Sequence, residues 1–116
     1  MNTKLLGVSA IWNNINGTAI KYDDGTMICY KYGKRHEGLS WSSENQVKIS
    51  TIKDAWIFPD QFIEPPTIFA ETNEGNCTSY RSIRDKNKVS EQTLLCITSS
   101  TTNYATLSYF AIGKWK

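Results

Sequence analysis

The sequence predicts an all-β fold, a small antiparallel β-sandwich of about six strands, on three observations. Gly, Thr, Ser, Asn, Tyr and Ile are frequent and long Ala, Leu or Glu runs are missing, a composition that favours strands over helices. Short β-rich runs recur at close spacing, each bounded by turn formers. A length of 116 residues fits one domain, which buries only about two-thirds of its unfolded surface, so stability is expected to be modest unless subunits add to it.

Residues 1–15 are read as a leader or linker and 16–116 as the domain. The leader's apolar run is too short and too polar to span a membrane and is a weak secretory signal. Its Leu5, Leu6, Val8, Ile11, Trp12 and Ile15 are spaced to pack along a threefold axis or against a neighbouring chain. Strands are expected at 18–22 and 26–32, joined by Asp23-Asp24-Gly25, the strongest hairpin signal in the chain. The polar, Gly/Ser-rich stretch 33–46 around Trp41 reads as a long exposed loop.

Strand character returns from Val47 to Phe58, and Pro59, Pro65 and Pro66 then force a connection or an edge, because proline has no N–H for a ladder. Further strands are expected at 67–72, 77–84, 90–98 and 104–114, between turn-rich segments 73–76, 85–88 and 99–103. Trp56, Phe58, Phe69, Phe110 and Trp115 read as core or subunit-interface residues.

Thirteen basic and eleven acidic residues interleave to a net charge of +2, without the basic bias of a nucleic-acid-binding protein, and the cluster Lys31, Lys34, Arg35, His36 reads as a solvated loop. Cys29, Cys77 and Cys96 are odd in number and far apart, so neither a zinc site nor a disulfide framework is expected, and thiols fit synthesis in a reducing cytoplasm. His36 alone cannot fill a coordination shell, so no metal or cofactor is expected. Asp23 and Asp24 are adjacent in a turn and cannot flank a scissile glycosidic bond, and no nucleophile elbow is present, so the chain reads as a binding protein rather than an enzyme.

Three segments in order carry a family resemblance: Asn-Gly-Thr-Ala-Ile-Lys-Tyr-Asp-Asp-Gly-Thr-Met-Ile-Cys at 16–29, Trp-Ile-Phe-Pro-Asp-Gln-Phe at 56–62 followed by Pro-Pro-Thr-Ile, and the terminal Ala-Ile-Gly-Lys-Trp-Lys. Together they resemble the C-terminal domain of bacteriophage tail fibres and tail spikes, which is similar to the trimeric, six-stranded H-type lectins. The resemblance implies a homotrimeric virion protein at a fibre or spike tip, attached to the remainder of the fibre. It also implies binding to a host cell-surface glycan or cell-wall polysaccharide. The alternative is a structural trimerisation cap or intramolecular chaperone without a ligand of its own. A complete fibre is much longer, so the chain is expected to be a fragment, an internal-start product or a small prophage gene product.

The matching segments are framework, so binding residues must be argued from chemistry. Sugar recognition joins flat aromatic faces to fixed polar groups that bond hydroxyls. Trp41 in the long loop, Tyr80 and Arg84 on one strand, and Asn103 and Tyr104 at the entry to the last strand are the candidates. On a β-strand Tyr80, Ser82 and Arg84 are expected on one face and Arg81 and Ile83 on the other. Trp41 stays open between binding and packing.

Overall fold

A computed structural model describes residues 7–44, 47–74, 76–97 and 102–116. Nine strands and no helix occur among them: β1 (Val8–Asn14), β2 (Gly17–Tyr22), β3 (Thr26–His36), β4 (Ser42–Glu44), β5 (Val47–Ile57), β6 (Thr67–Thr72), β7 (Cys77–Arg84), β8 (Lys88–Cys96) and β9 (Ala105–Lys114). They form two antiparallel sheets, β1-β2-β3-β9-β6 and β4-β5-β8-β7, packed as a sandwich. The all-β sandwich expected from the sequence is therefore the fold, with two strands more than the seven segments expected.

The additional strands come from two segments. Residues 8–14, expected in the leader, pair with β2, and Ile15-Asn16, astride the boundary expected for the domain, makes the two-residue turn between them. The sheet thus begins at Val8. Trp12 packs on the core while Val8, Ile11 and Ile15 are exposed, and Leu5 and Leu6 lie outside the described residues. The stretch expected as one long loop is also partly strand: β3 runs to His36, and 42–44 pair with β5.

The β2–β3 hairpin forms where Asp-Gly predicts it. Gly25 sits at φ 96°, its N–H bonds the Tyr22 carbonyl at 3.0 Å, and its carbonyl accepts the Trp115 N–H at 2.8 Å. The Thr26 N–H and hydroxyl hold the Asp24 carboxyl below its ordinary pKa. Trp115 packs against the core and bonds the Tyr22 carbonyl through Nε1 at 2.8 Å. Lys21 lies between the rings of Trp12 and Trp115, 5.1 and 4.9 Å from their centroids, and pairs with Asp60 at 2.7 Å.

Alternation is cleanest in β9, where Ala105, Leu107, Tyr109 and Ala111 face inward and Thr106, Ser108, Phe110 and Ile112 face outward. Across the interface β5 supplies Ile52, Ala55 and Trp56, and Trp56 stacks on Tyr109 with centroids 5.3 Å apart and planes 17° apart. The proline-rich connection completes this aromatic core. Phe58 meets Trp56 edge-on and Phe62 meets Phe58 likewise, while the connection's backbone bonds Asn87, Lys86 and Lys114.

Several strands change phase at bulges. Between Lys31 and Lys34, β3 carries one residue more than β9, and Gly33 takes φ 63° there. Between Lys53 and Trp56, β5 carries one more than β8. Met27 and Cys29 face the core before the β3 bulge, and beyond it His36 is the residue that turns inward.

Trp56 is 1% exposed, so Trp56→Ala should cost about 3–5 kcal/mol. Ser50 is 2% exposed, and its Oγ has no hydrogen-bond partner among the described residues. Ser50→Ala should therefore gain stability, up to about 1 kcal/mol, by removing an unsatisfied hydroxyl. Urea denaturation of both variants checks the pair. A Ser50→Ala loss above that size would show that the hydroxyl has a partner.

Candidate functional site

β6 and β7 are the edge strands of different sheets and lie side by side. Between them runs a groove of about 380 Å³ lined by Thr67, Ile68, Phe69 and Ala70 on one side and Ser79, Tyr80, Arg81, Ser82 and Arg84 on the other. Two of the five sequence candidates, Tyr80 and Arg84, lie in it.

The strand does not present them as simple alternation predicts. Ser79 pairs with Leu94 and Arg81 with Thr93, so Tyr80 is an inserted residue with no partner in the β7–β8 register. The bulge re-phases the strand and lets both Ser79 and Ser82 reach Gln92. The Gln92 amide Nε2 donates to Ser79 Oγ at 2.6 Å, and Ser82 Oγ donates to Gln92 Oε1. Gln92 is fully buried, and it holds from beneath the two serines that line the groove. Ser82 therefore points to Gln92 while Tyr80 stands exposed at the rim, which corrects the expectation that both share a face.

Arg84 is anchored: its Nε donates to the Pro66 carbonyl at 2.7 Å, tying β7 to the start of β6. Opposite, Phe69 is 60% exposed and its ring lies 6.1 Å from that of Phe110. Sequence reasoning assigned both rings to core or interface. Their register pairing on the outward face of β6 and β9 removes them from the core. Around the same edge, Tyr30, Tyr32, Phe69, Phe110, Glu71 and Ser108 line a second, more apolar cleft of about 340 Å³.

The other three candidates gather elsewhere. Trp41 packs against the core and donates from Nε1 to the Thr102 carbonyl at 2.6 Å. The Asn103 carbonyl accepts the Leu39 N–H at 2.8 Å. The Tyr104 ring carries the Arg35 guanidinium over its face at 3.9 Å. These contacts clasp the segment after β3 to the entry of β9, giving Trp41 a packing duty its polar sequence context did not show. A cleft of about 400 Å³ beside it is lined by Arg35, His36, Glu37 and Lys53 among others, and no residue lines both this cleft and the β6–β7 groove.

What the sequence reading missed is Gln92, the buried amide that holds the two groove serines. Gln92, Leu94 and Cys96 are in phase and all buried, so period-two counting back from the two apolar residues places Gln92 inward. Among the described residues no group of three His, Cys, Asp or Glu side chains is placed to hold a metal ion.

No family model matches the chain, and no curated protein matches it significantly. Among solved structures it is similar to an N-truncated R1-type pyocin tail fibre, with a TM-score of 0.59 and 14% identity over 92% of this chain and 87% of that one. At that identity the likeness is one of fold.

His36 is half-buried, shares a 2.9 Å hydrogen bond with the Tyr109 hydroxyl, and has its pKa pushed down to about 4 by burial and then by Lys34. An unfolded histidine takes up its proton near pH 6.5, so on acidification the unfolded state gains a proton that the folded state refuses. Stability from this group is complete above about pH 6.5 and is lost as pH falls towards 4. His36→Gln should flatten the melting-temperature profile over that window relative to the parent, as read by thermal melts at fixed ionic strength. Parallel profiles would contradict it.

Proposed function

We propose that this chain is a tail-fibre module of a phage or phage-tail-like particle that binds host-surface carbohydrate in the β6–β7 groove. The observation that carries the reading is the groove's construction. Two serine hydroxyls held by the buried Gln92 amide line it, and its β7 wall carries an exposed tyrosine and an anchored arginine. Aromatic faces take the C–H surface of a sugar ring, while hydroxyls and the remaining guanidinium donors take its oxygens. This set suits recognition of hydroxyl-rich ligands, and the module acts by binding rather than by catalysis. The fold likeness to a pyocin tail fibre supports the setting, in which the ligand is a host cell-surface glycan or cell-wall polysaccharide and the module is carried on the virion.

The module works as a homotrimer joined to the remainder of its fibre. The outward aromatic face of Tyr30, Tyr32, Phe69 and Phe110 supports this, since such a patch on a small domain is costly to leave in water. The same face favours the second reading, a trimerisation cap without a ligand. Shallow single sugar sites are weak, and three copies acting together raise attachment strength without new contacts.

Binding of fluorescent host polysaccharide to Tyr80→Ala and Arg84→Ala should fall about tenfold, the loss of one aromatic or charge-assisted contact. Trp41→Ala and Tyr104→Ala, once checked for intact folding, should bind normally if the groove is the site. The opposite pattern would move the site to the β3–β9 clasp, and no binding by the parent would favour the cap.

Light scattering at micromolar concentration should give a mass of three 13.2 kDa chains, and Phe69→Asp should reduce it to one. A parent monomer would remove the trimer from the account. A Phe69→Asp trimer would place its interface on another face.

A further inference from the structure

We propose that Cys77 and Cys96 form a cross-strand disulfide when the protein meets an oxidising medium, joining the edge strand β7 to β8. The two residues are direct partners in the β7–β8 register, and their sulfurs are 2.9 Å apart. They occupy a non-hydrogen-bonded pair of the ladder. The Cys77 N–H turns away to the Glu74 carbonyl at 3.1 Å, and the next pair outward carries the bond from Ile97 N–H to the Asn76 carbonyl. In antiparallel sheets such pairs bring Cα atoms to about 4.5 Å, within the roughly 4.4–6.8 Å that a disulfide spans. Closing the sulfurs to bonding distance needs a movement of less than about 1 Å, which leaves the strands in place.

The environment suits a slow, structural oxidation. Cys96 is fully buried and Cys77 is partly exposed, so a small disulfide such as oxidised glutathione reaches Cys77 first. The Cys77 thiol gives up its proton to solvent, and its thiolate attacks the glutathione disulfide, forming a mixed disulfide and releasing one glutathione thiolate, which takes up a proton. The Cys96 thiolate, its proton likewise lost to solvent, then displaces the second glutathione, which is also protonated. Two protein thiols are oxidised and one glutathione disulfide is reduced to two thiols. Burial and the neighbouring Cys96 sulfur push the Cys77 thiol up to about 12, so little thiolate exists at neutral pH and the first step should quicken as pH rises.

The bond closes a loop over 19 positions around the β7–β8 hairpin, at the end opposite its Asp85–Asn87 turn. Among the described residues β7 pairs only with β8, and Cys77 lies two residues before Ser79 of the groove. A staple there fixes the strand that carries one wall, whatever the groove binds. Cys29 lies buried in β3 of the other sheet and takes no part.

The test is to hold the full chain in a buffer of oxidised and reduced glutathione at mildly alkaline pH, then unfold it, alkylate it and weigh it. The expected mass shows two hydrogens lost and one of the three cysteines alkylated, with peptide mapping giving the Cys77–Cys96 link. The melting temperature should rise on the order of 10 °C and fall back on adding dithiothreitol. Cys29→Ser should behave like the parent, and Cys77→Ser should show neither the link nor the shift. Three alkylated cysteines, a lasting glutathione adduct on Cys77, or a link that lowers the melting temperature would each overturn the proposal.

Discussion

The stack of Trp56 on Tyr109 is the contact on which the rest of this sandwich depends. Trp56 belongs to the four-stranded sheet and Tyr109 to the five-stranded one, so the pair joins the two layers face to face. Each ring is apolar in body and polar at one end, and each polar end is satisfied: the indole N–H by the Asn16 carbonyl at 2.8 Å, the phenol by His36. A buried aromatic without such a partner would give back much of what its burial contributes. Phe58 and Phe62 extend the stack through edge-on contacts, so the proline-rich connection becomes part of the core.

That geometry is made possible by bulges. Period-two alternation held rigidly along β3 from Met27 would turn His36 outward, and along β7 it would set Ser79 and Ser82 on opposite faces. One inserted residue in each strand reverses the phase, which places an imidazole on a buried phenol and two serines on one buried amide. The surplus twist and bend of a bulged edge strand also blunts it against pairing with other chains.

Where local chemistry fixes conformation, the sequence was readable. Asp23-Asp24-Gly25 specified its hairpin, the alternation of β9 specified its faces, and the prolines marked the crossing between sheets. Less was readable where long-range pairing decides. Val8–Asn14 is a strand because β2 offers it an edge, and Trp41 packs because Thr102 and Asn103 come back to meet its segment. Tyr80 and Arg84 were chosen by side-chain chemistry alone, while the β6 wall opposite them and the Gln92 support beneath Ser79 and Ser82 needed the topology that sets two sheet edges side by side. For Phe69 the sequence left core and subunit interface open together, and the register on the outward face of β6 excludes the core.

The central claim is that carbohydrate binds between the two sheet edges, and nuclear magnetic resonance mapping tests it most directly. Titrating isotopically labelled protein with oligosaccharides cut from host cell-wall polysaccharide should shift the backbone amides of Thr67–Ala70 and Ser79–Arg84. The side-chain amide of Gln92 should move with them. Shifts confined to Trp41, Asn103 and Tyr104, or no saturable shifts at all, would contradict the account.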